Sequence, residues 1–198
     1  MAWVRARRSD AAARRRASAS LQRMTAVAAP PRLVVMGPSG AGKSLVGAAL
    51  VERLSPAFPG IAFIDADDLH PAANVEKMRG GVPLVDDDRW PWLRLVGKAL
   101  AAGDDGRVVA CSALRRAYRD AIRAECPDAA FVELVVPVED LGERIADRPG
   151  HFMPPSLLTS QLEALEPLAD DEAGVRIENV GPVDEVVTRA IAALRTGW

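Results

Sequence analysis

Apolar and polar positions alternate in blocks along most of this chain. Leu33-Val34-Val35-Met36 is an apolar run that ends at a glycine, and Ile61-Ala62-Phe63-Ile64 is a second that ends at Asp65. Arg107 to Ala110, Phe131 to Val136 and Val175 to Ile177 read as three more. Short runs without polar alternation are the mark of strands buried on both faces. Between them lie stretches with a helical period. Lys43 to Leu54 places Val46, Ala49, Leu50 and Leu54 on one face, and the last stretch carries the stripe Val183, Val186, Val187, Ala190, Ile191 and Leu194. Helices are also expected near Ala72–Arg79, Pro91–Ala102, Leu114–Ala124, Val138–Asp147 and Ser156–Leu165. This order predicts an α/β fold of three layers, with a central five-stranded parallel sheet covered by helices on both faces. All strands then end at one edge, where ligands bind.

The first strand leads into Gly37-Pro38-Ser39-Gly40-Ala41-Gly42-Lys43-Ser44, which matches G-x-x-x-x-G-K-[ST]. Glycines let the backbone wrap so that successive N–H groups point inward at phosphate oxygens. The helix that starts near Lys43 adds its positive N-terminal end. Lys43 is expected at the β- and γ-phosphates of ATP and Ser44 on Mg²⁺, with Leu45 next in the ATP-binding segment. Pro38 removes one N–H from the loop and stiffens the turn.

Asp65-Ala66-Asp67-Asp68 follows the second strand. Period-two spacing would set Asp65 and Asp67 on one side of an extended segment, facing the phosphate loop. Asp65 is assigned to the metal, through water, and Asp67 to the proton of an attacking hydroxyl. Asp68 reads as a solvated turn residue. His70, before Pro71, reads as a turn or capping residue and is also carried into the substrate set. Arg89 lies in the acidic run Asp86-Asp87-Asp88-Arg89-Trp90-Pro91, and a guanidinium recognises a carboxylate with two hydrogen bonds. Arg115 and Arg119 are one helical turn apart after the third strand, with Ser112 at the strand's end. Ser112, Arg89, Arg115 and Arg119 are the candidate substrate contacts. The bland alternative for the two helical arginines is a solvated face with an Arg116–Asp120 pair.

Composition narrows the class without changing the architecture. The chain has 198 residues, 49% of them hydrophobic and 26% charged, and a net charge of −2. That fits one globular domain and gives no overall field for nucleic acid. No apolar run approaches the roughly 18 residues that span a bilayer. Cys111 and Cys126 show no metal-ligand spacing and read as buried thiols. Met1 to Arg23 differs from the rest, with seven arginines, one acid and no apolar period. Residues 1–29 are therefore expected to be a disordered Arg-rich extension, with Met1 to Arg23 alternatively a transit-like peptide or sequence ahead of a true start at Met24. Residues 30–198 form the expected phosphate-loop kinase domain.

The blocks together resemble the gluconokinase family. They are Met36 through Ser44, Asp65-Ala66-Asp67-Asp68-Leu69-His70-Pro71, Asn74 through Met78 and Asp86 through Leu93. Cys111-Ser112-Ala113-Leu114-Arg115-Arg116-Ala117-Tyr118-Arg119-Asp120, Gly150-His151-Phe152-Met153-Pro154 and Ser160 through Glu166 complete the match. The resemblance runs from about Arg32 to the C-terminus. Many kinases share the phosphate loop, whereas the Asp-Arg-x-Pro-Trp-Leu, Cys-Ser-Ala-Leu and Gly-His-Phe blocks are more specific. It implies ATP- and Mg²⁺-dependent phosphorylation of D-gluconate to 6-phosphogluconate, feeding the pentose phosphate pathway. It also implies a fold like shikimate and nucleoside monophosphate kinases with a mobile lid at about 148–156, a cytoplasmic setting and a homodimer. By the same resemblance Arg144 stacks on adenine and Arg148 meets charge in the transition state. Leu162 departs from the family, standing where an aromatic is common, and so does Pro149 within the lid. Two other readings share the phosphate loop: a different small-molecule kinase of this fold, and a nucleotide-dependent regulatory protein without catalysis.

Overall fold

A computed structural model describes residues 29–146 and 155–196. Five parallel strands form one sheet: β1 (Arg32–Met36), β2 (Ala62–Asp65), β3 (Arg107–Ala110), β4 (Ala130–Val135) and β5 (Gly174–Glu178), in the spatial order β2-β3-β1-β4-β5. The central strand β1 pairs Val34 with Val109 of β3 and with Phe131 of β4. The α/β expectation holds, and the strand limits fall within one residue of the apolar runs.

Seven helices connect and cover the strands among the described residues. They are α1 (Lys43–Leu54), α2 (Ala72–Arg79), α3 (Asp86–Ala101), α4 (Arg116–Glu125), α5 (Val138–Ala146), α6 (Pro155–Ala164) and α7 (Val183–Thr196), with a short 3₁₀ turn at Ala66–Leu69. Side chains of β1 alternate between two cores, as a pleated strand requires. Val34 and Met36 join Trp92, Leu93, Val96, Ile122 and Phe131 beneath α3 and α4. Leu33 and Val35 join Val46, Leu50, Val132, Val186 and Val187 beneath α1 and α7. The Arg32 guanidinium donates to the Leu100, Ala102 and Gly103 carbonyls, fastening the start of β1 to the end of α3. None of the described helices is long and apolar enough to cross a membrane.

Two local expectations are corrected. Helix α3 begins at Asp86, not Pro91. Three aspartates in its first turn favour the positive helix end, and the Asp88 carboxylate accepts the Val85 N–H at 3.0 Å. Asp67 does not continue an extended strand beside Asp65. Asp65 instead caps the 3₁₀ turn, and its carboxylate accepts the Asp67 N–H at 3.1 Å. The Arg-rich first stretch and the lid segment 147–154, with Arg148, Pro149 and His151, lie outside the described residues.

Candidate active site

The site grows from the C-terminal ends of β1, β2, β3 and β5, which the parallel sheet brings to one edge. Beyond β1 the chain needs left-handed backbone to turn inward. Gly40 and Gly42 supply it, with φ of 80° and 84°, and a side chain at Gly42 would meet the Asn179 amide at 2.9 Å. Lys43 then opens α1, its Nζ donating to the Pro38 carbonyl at 3.0 Å across the loop. The Ser44 hydroxyl donates to Asp65 Oδ2 at 2.8 Å. The Ser44 and Asp65 oxygens thus meet, and oxygen donors of this kind suit a hard divalent cation. Asp67 is exposed and lies within the 3₁₀ turn that Asp65 caps.

Two residues that sequence reasoning left without a role hold the cradle from outside. Asn179 Nδ2 donates to the Ala41 carbonyl at 2.6 Å. Gln161 Oε1, from α6, accepts the Ser39 N–H at 2.7 Å. Asn179 was discoverable, because it directly follows β5 at the edge where ligands bind. Gln161 was marked only by its place in the Ser160–Glu166 block of the family resemblance. A cavity of about 300 Å³ beside the cradle is lined by Gly40, Gly42, Leu45, Arg144, Asn179 and Gly181 among others. Arg144 Nη2 donates to the Asn179 carbonyl at 3.1 Å at its rim.

A second polar cluster is built on α3 and α4. His70 stacks on Trp92 with ring centroids 4.2 Å apart, and Trp92 Nε1 donates to the Ala66 carbonyl at 2.7 Å. Burial pushes the His70 pKa down; Asp67 opposes this and Arg89 adds to it, so the imidazole is held neutral-leaning. Beyond His70, Arg89 and Arg115 converge on Tyr118 and Asp86. Cys111 lies at the end of β3, and its burial pushes the thiol up to about 12, so it stays protonated and takes no part as a nucleophile.

A glycine cradle for phosphates thus lies at the sheet edge, and the Arg89–Arg115 pair closes on the chain's own Asp86. The chain is 44% identical over 166 residues to gluconokinase from Gluconobacter oxydans (strain 621H), covering 82% of this chain and 90% of that protein. It is 41% identical over 169 residues to thermosensitive gluconokinase from Escherichia coli (strain K12), covering 82% and 88%. The chain belongs to the gluconokinase family. A crystal structure of a gluconokinase from Sinorhizobium meliloti 1021 aligns with a TM-score of 0.74 at 46% identity, covering 84% of this chain and 93% of that one. Shikimate kinase from Aquifex aeolicus vf5, at 18% identity and a TM-score of 0.52 over 83% and 96%, shares the fold alone. No protein-family model matches the chain.

Within this gluconokinase fold the expected substrate residues separate into two groups. Arg89 and Arg115 gather at Asp86 and Tyr118, with His70 in electrostatic reach of Arg89, and Ser112 lies at the end of β3, its carbonyl accepting the Gly37 N–H at 3.3 Å. Arg119 does not join them, and its expected substrate contact is corrected. It is 0% exposed, with Nε and Nη2 donating to the two Glu172 oxygens at 2.7 and 2.6 Å. Its Nη1 reaches the Ala113, Leu114 and Glu166 carbonyls. A guanidinium so enclosed has no face left for a ligand. Nor does Arg116 pair with Asp120; it makes two bonds to Asp171, at 2.9 and 2.7 Å, across to the segment before β5.

Proposed function

We propose that this protein transfers the γ-phosphoryl group of ATP to the terminal hydroxyl of D-gluconate, giving 6-phosphogluconate. The observation that carries the reading is the Lys43 and Ser44–Asp65 cradle, with His70 between the charges of Asp67 and Arg89, which both act on its imidazole. The family relationship supports the same acceptor.

Each residue then has a task. Backbone N–H groups of Gly37 to Ser44 and the start of α1 bind the polyphosphate. The Lys43 ammonium turns from the Pro38 carbonyl to the β- and γ-phosphates. Ser44 and, through water, Asp65 hold Mg²⁺, which when bound neutralises phosphate charge. Leu45 and Arg144 border the nucleotide's base, with Arg144 along the adenine. Arg89 and Arg115 take the gluconate carboxylate. His70, whose Nδ1 faces the Asn74 amide at 3.4 Å, offers its other ring nitrogen to the polyol, and the Ser112 hydroxyl offers a donor and an acceptor. Asp67 accepts the proton of the attacking hydroxyl, and Arg148 answers charge on the transferring group. Positioning and charge dominate over proton removal, because the transition state is loose. The resemblance alone supports a homodimer in the cytoplasm.

An ADP-release assay against gluconate, shikimate and nucleoside monophosphates tests the acceptor. Turnover is expected with gluconate only, and strong turnover with shikimate alone would end the claim. Asp67→Asn is expected to lower kcat at least about 100-fold while ATP still binds. Unchanged turnover would remove Asp67 from the base role.

A further inference from the structure

The two arginines assigned to the substrate's carboxylate already hold a carboxylate that belongs to the chain. Asp86, the first residue of α3, accepts from Arg89 Nη1 at 2.7 Å and from the Tyr118 hydroxyl at 2.6 Å, both through Oδ1. Its Oδ2 accepts from Arg115 Nη1 at 3.1 Å. Tyr118 is 6% exposed, and both guanidinium carbons lie over its ring, 5.8 and 5.7 Å from the centroid. The arginines therefore rest on a platform set in the core. Each commits a single terminal nitrogen, Nη1, and the Nε and Nη2 of both make no hydrogen bond to the described residues. Asp88 turns elsewhere, to Lys77 and the Val85 N–H.

We propose that Asp86 is a specificity-determining residue that sets the anion strength of the substrate site. It holds Arg89 and Arg115 side by side and cancels one of their two charges. The inference rests on the gluconate reading above. A prearranged pair of guanidiniums saves side-chain entropy on binding and leaves donors for an incoming carboxylate. The remaining single positive charge matches a monoanion, so the site selects a sugar acid over a neutral polyol. It also stops short of trapping a phosphorylated product of higher charge. The side chains of Arg89, Arg115 and Asp86 are 31%, 44% and 40% exposed, so water and salt screen the effect. A unit charge about 5 Å away in such a setting changes affinity about tenfold.

Asp86→Asn keeps the shape and removes the charge. Dissociation constants of wild type and variant are measured by calorimetry at low salt for gluconate, its neutral amide gluconamide, and 6-phosphogluconate. The variant is expected to bind gluconate and 6-phosphogluconate about tenfold more tightly, with gluconamide changed less than about twofold. Asp86→Glu, which keeps the charge, is expected to restore the wild-type ratio of gluconate to gluconamide affinity. Asp86→Ser supplies the same test should the asparagine variant fail to melt cooperatively. The proposal is overturned if gluconate and gluconamide shift together, if gluconate binding weakens or stays the same, or if the glutamate variant behaves like the asparagine one. Wild-type protein that releases no ADP with gluconate overturns the functional reading instead, whereas wild-type turnover with an unchanged affinity ratio in the variant overturns only the role of Asp86.

Discussion

Arg115 and Arg119 stand one helical turn apart, yet one side chain is 44% exposed and the other 1%. Arg119 and Glu172 form a buried pair in which the carboxylate also accepts from Arg123 at 3.1 Å and the Ala169 N–H at 3.1 Å. Burial alone would raise the Glu172 pKa, but the Arg119 hydrogen bonds and the other donors hold it below the ordinary value. Arg119 also clamps the carbonyl of Ala113, whose φ of 42° is unusual for a residue with a Cβ. Arg119→Met would leave the buried Glu172 carboxylate with only Arg123 and the Ala169 N–H as partners. A loss of about 3–5 kcal/mol is expected in urea unfolding. The double variant Arg119→Met, Glu172→Leu is expected to recover part of that loss, because the buried carboxylate leaves with its main partner and Arg123, 22% exposed, keeps access to water. A double variant as unstable as the single one would show that the carbonyl contacts of Arg119, and not its ion pair, carry the stability.

Helices α3 and α4 decide how the carboxylate cluster assembles, since Asp86 and Arg89 ride on one and Tyr118 on the other. Their close approach depends on Gly97. A Cβ there would lie 2.6 Å from the Ile122 carbonyl oxygen and 2.8 Å from the Glu125 Cβ. Gly97→Ala is therefore expected to destabilise by about 1–3 kcal/mol, the usual cost of overpacking, despite alanine's better helix propensity. It should also raise KM for gluconate more than KM for ATP, because the helices it parts lie on the acceptor side of the site. Melting curves and steady-state kinetics check both. At this scale most of the chain was legible. The glycine-flanked apolar runs and the 3.6-residue stripes mark strands and helices through local periodicity. The start of α3 was not legible, because Pro91 looks like a first helical residue and the acids before it look like a turn. In the folded chain those acids are the first turn itself, favoured by the helix's positive end.

Across the whole molecule, pH acts through groups on both sides of the sheet edge. The His70 pKa lies below the ordinary 6.5, mainly through burial, so the unfolded chain binds this proton more readily. Its contribution to stability is present above that range and falls away as pH drops through about 6.5. The carboxyls of Asp86, Asp88 and Asp171 are held below the ordinary 3.8, chiefly by hydrogen bonds from Tyr118, Lys77 and Arg116 respectively. Their stabilisation is present above the unfolded value and is lost as pH falls below about 3.8. Melting temperature is thus expected to decline in two steps on acidification, and His70→Gln should remove the upper step alone. A His70→Gln curve that still falls near pH 6.5 would assign that step elsewhere. The amino-acid sequence by itself determined the phosphate cradle and the alternating architecture, because Gly37 to Ser44 is contiguous and the periodicity is local. Only the tertiary structure decided which arginine faces solvent, and that Asn179 and Gln161 buttress the cradle. It also brought Asp86, Arg89, Arg115 and Tyr118 into one cluster, whose bonds span 29 and 32 positions of chain. Those choices follow from how α3 packs against α4 and how the segments around β5 fold back, contacts between distant segments that no local pattern encodes.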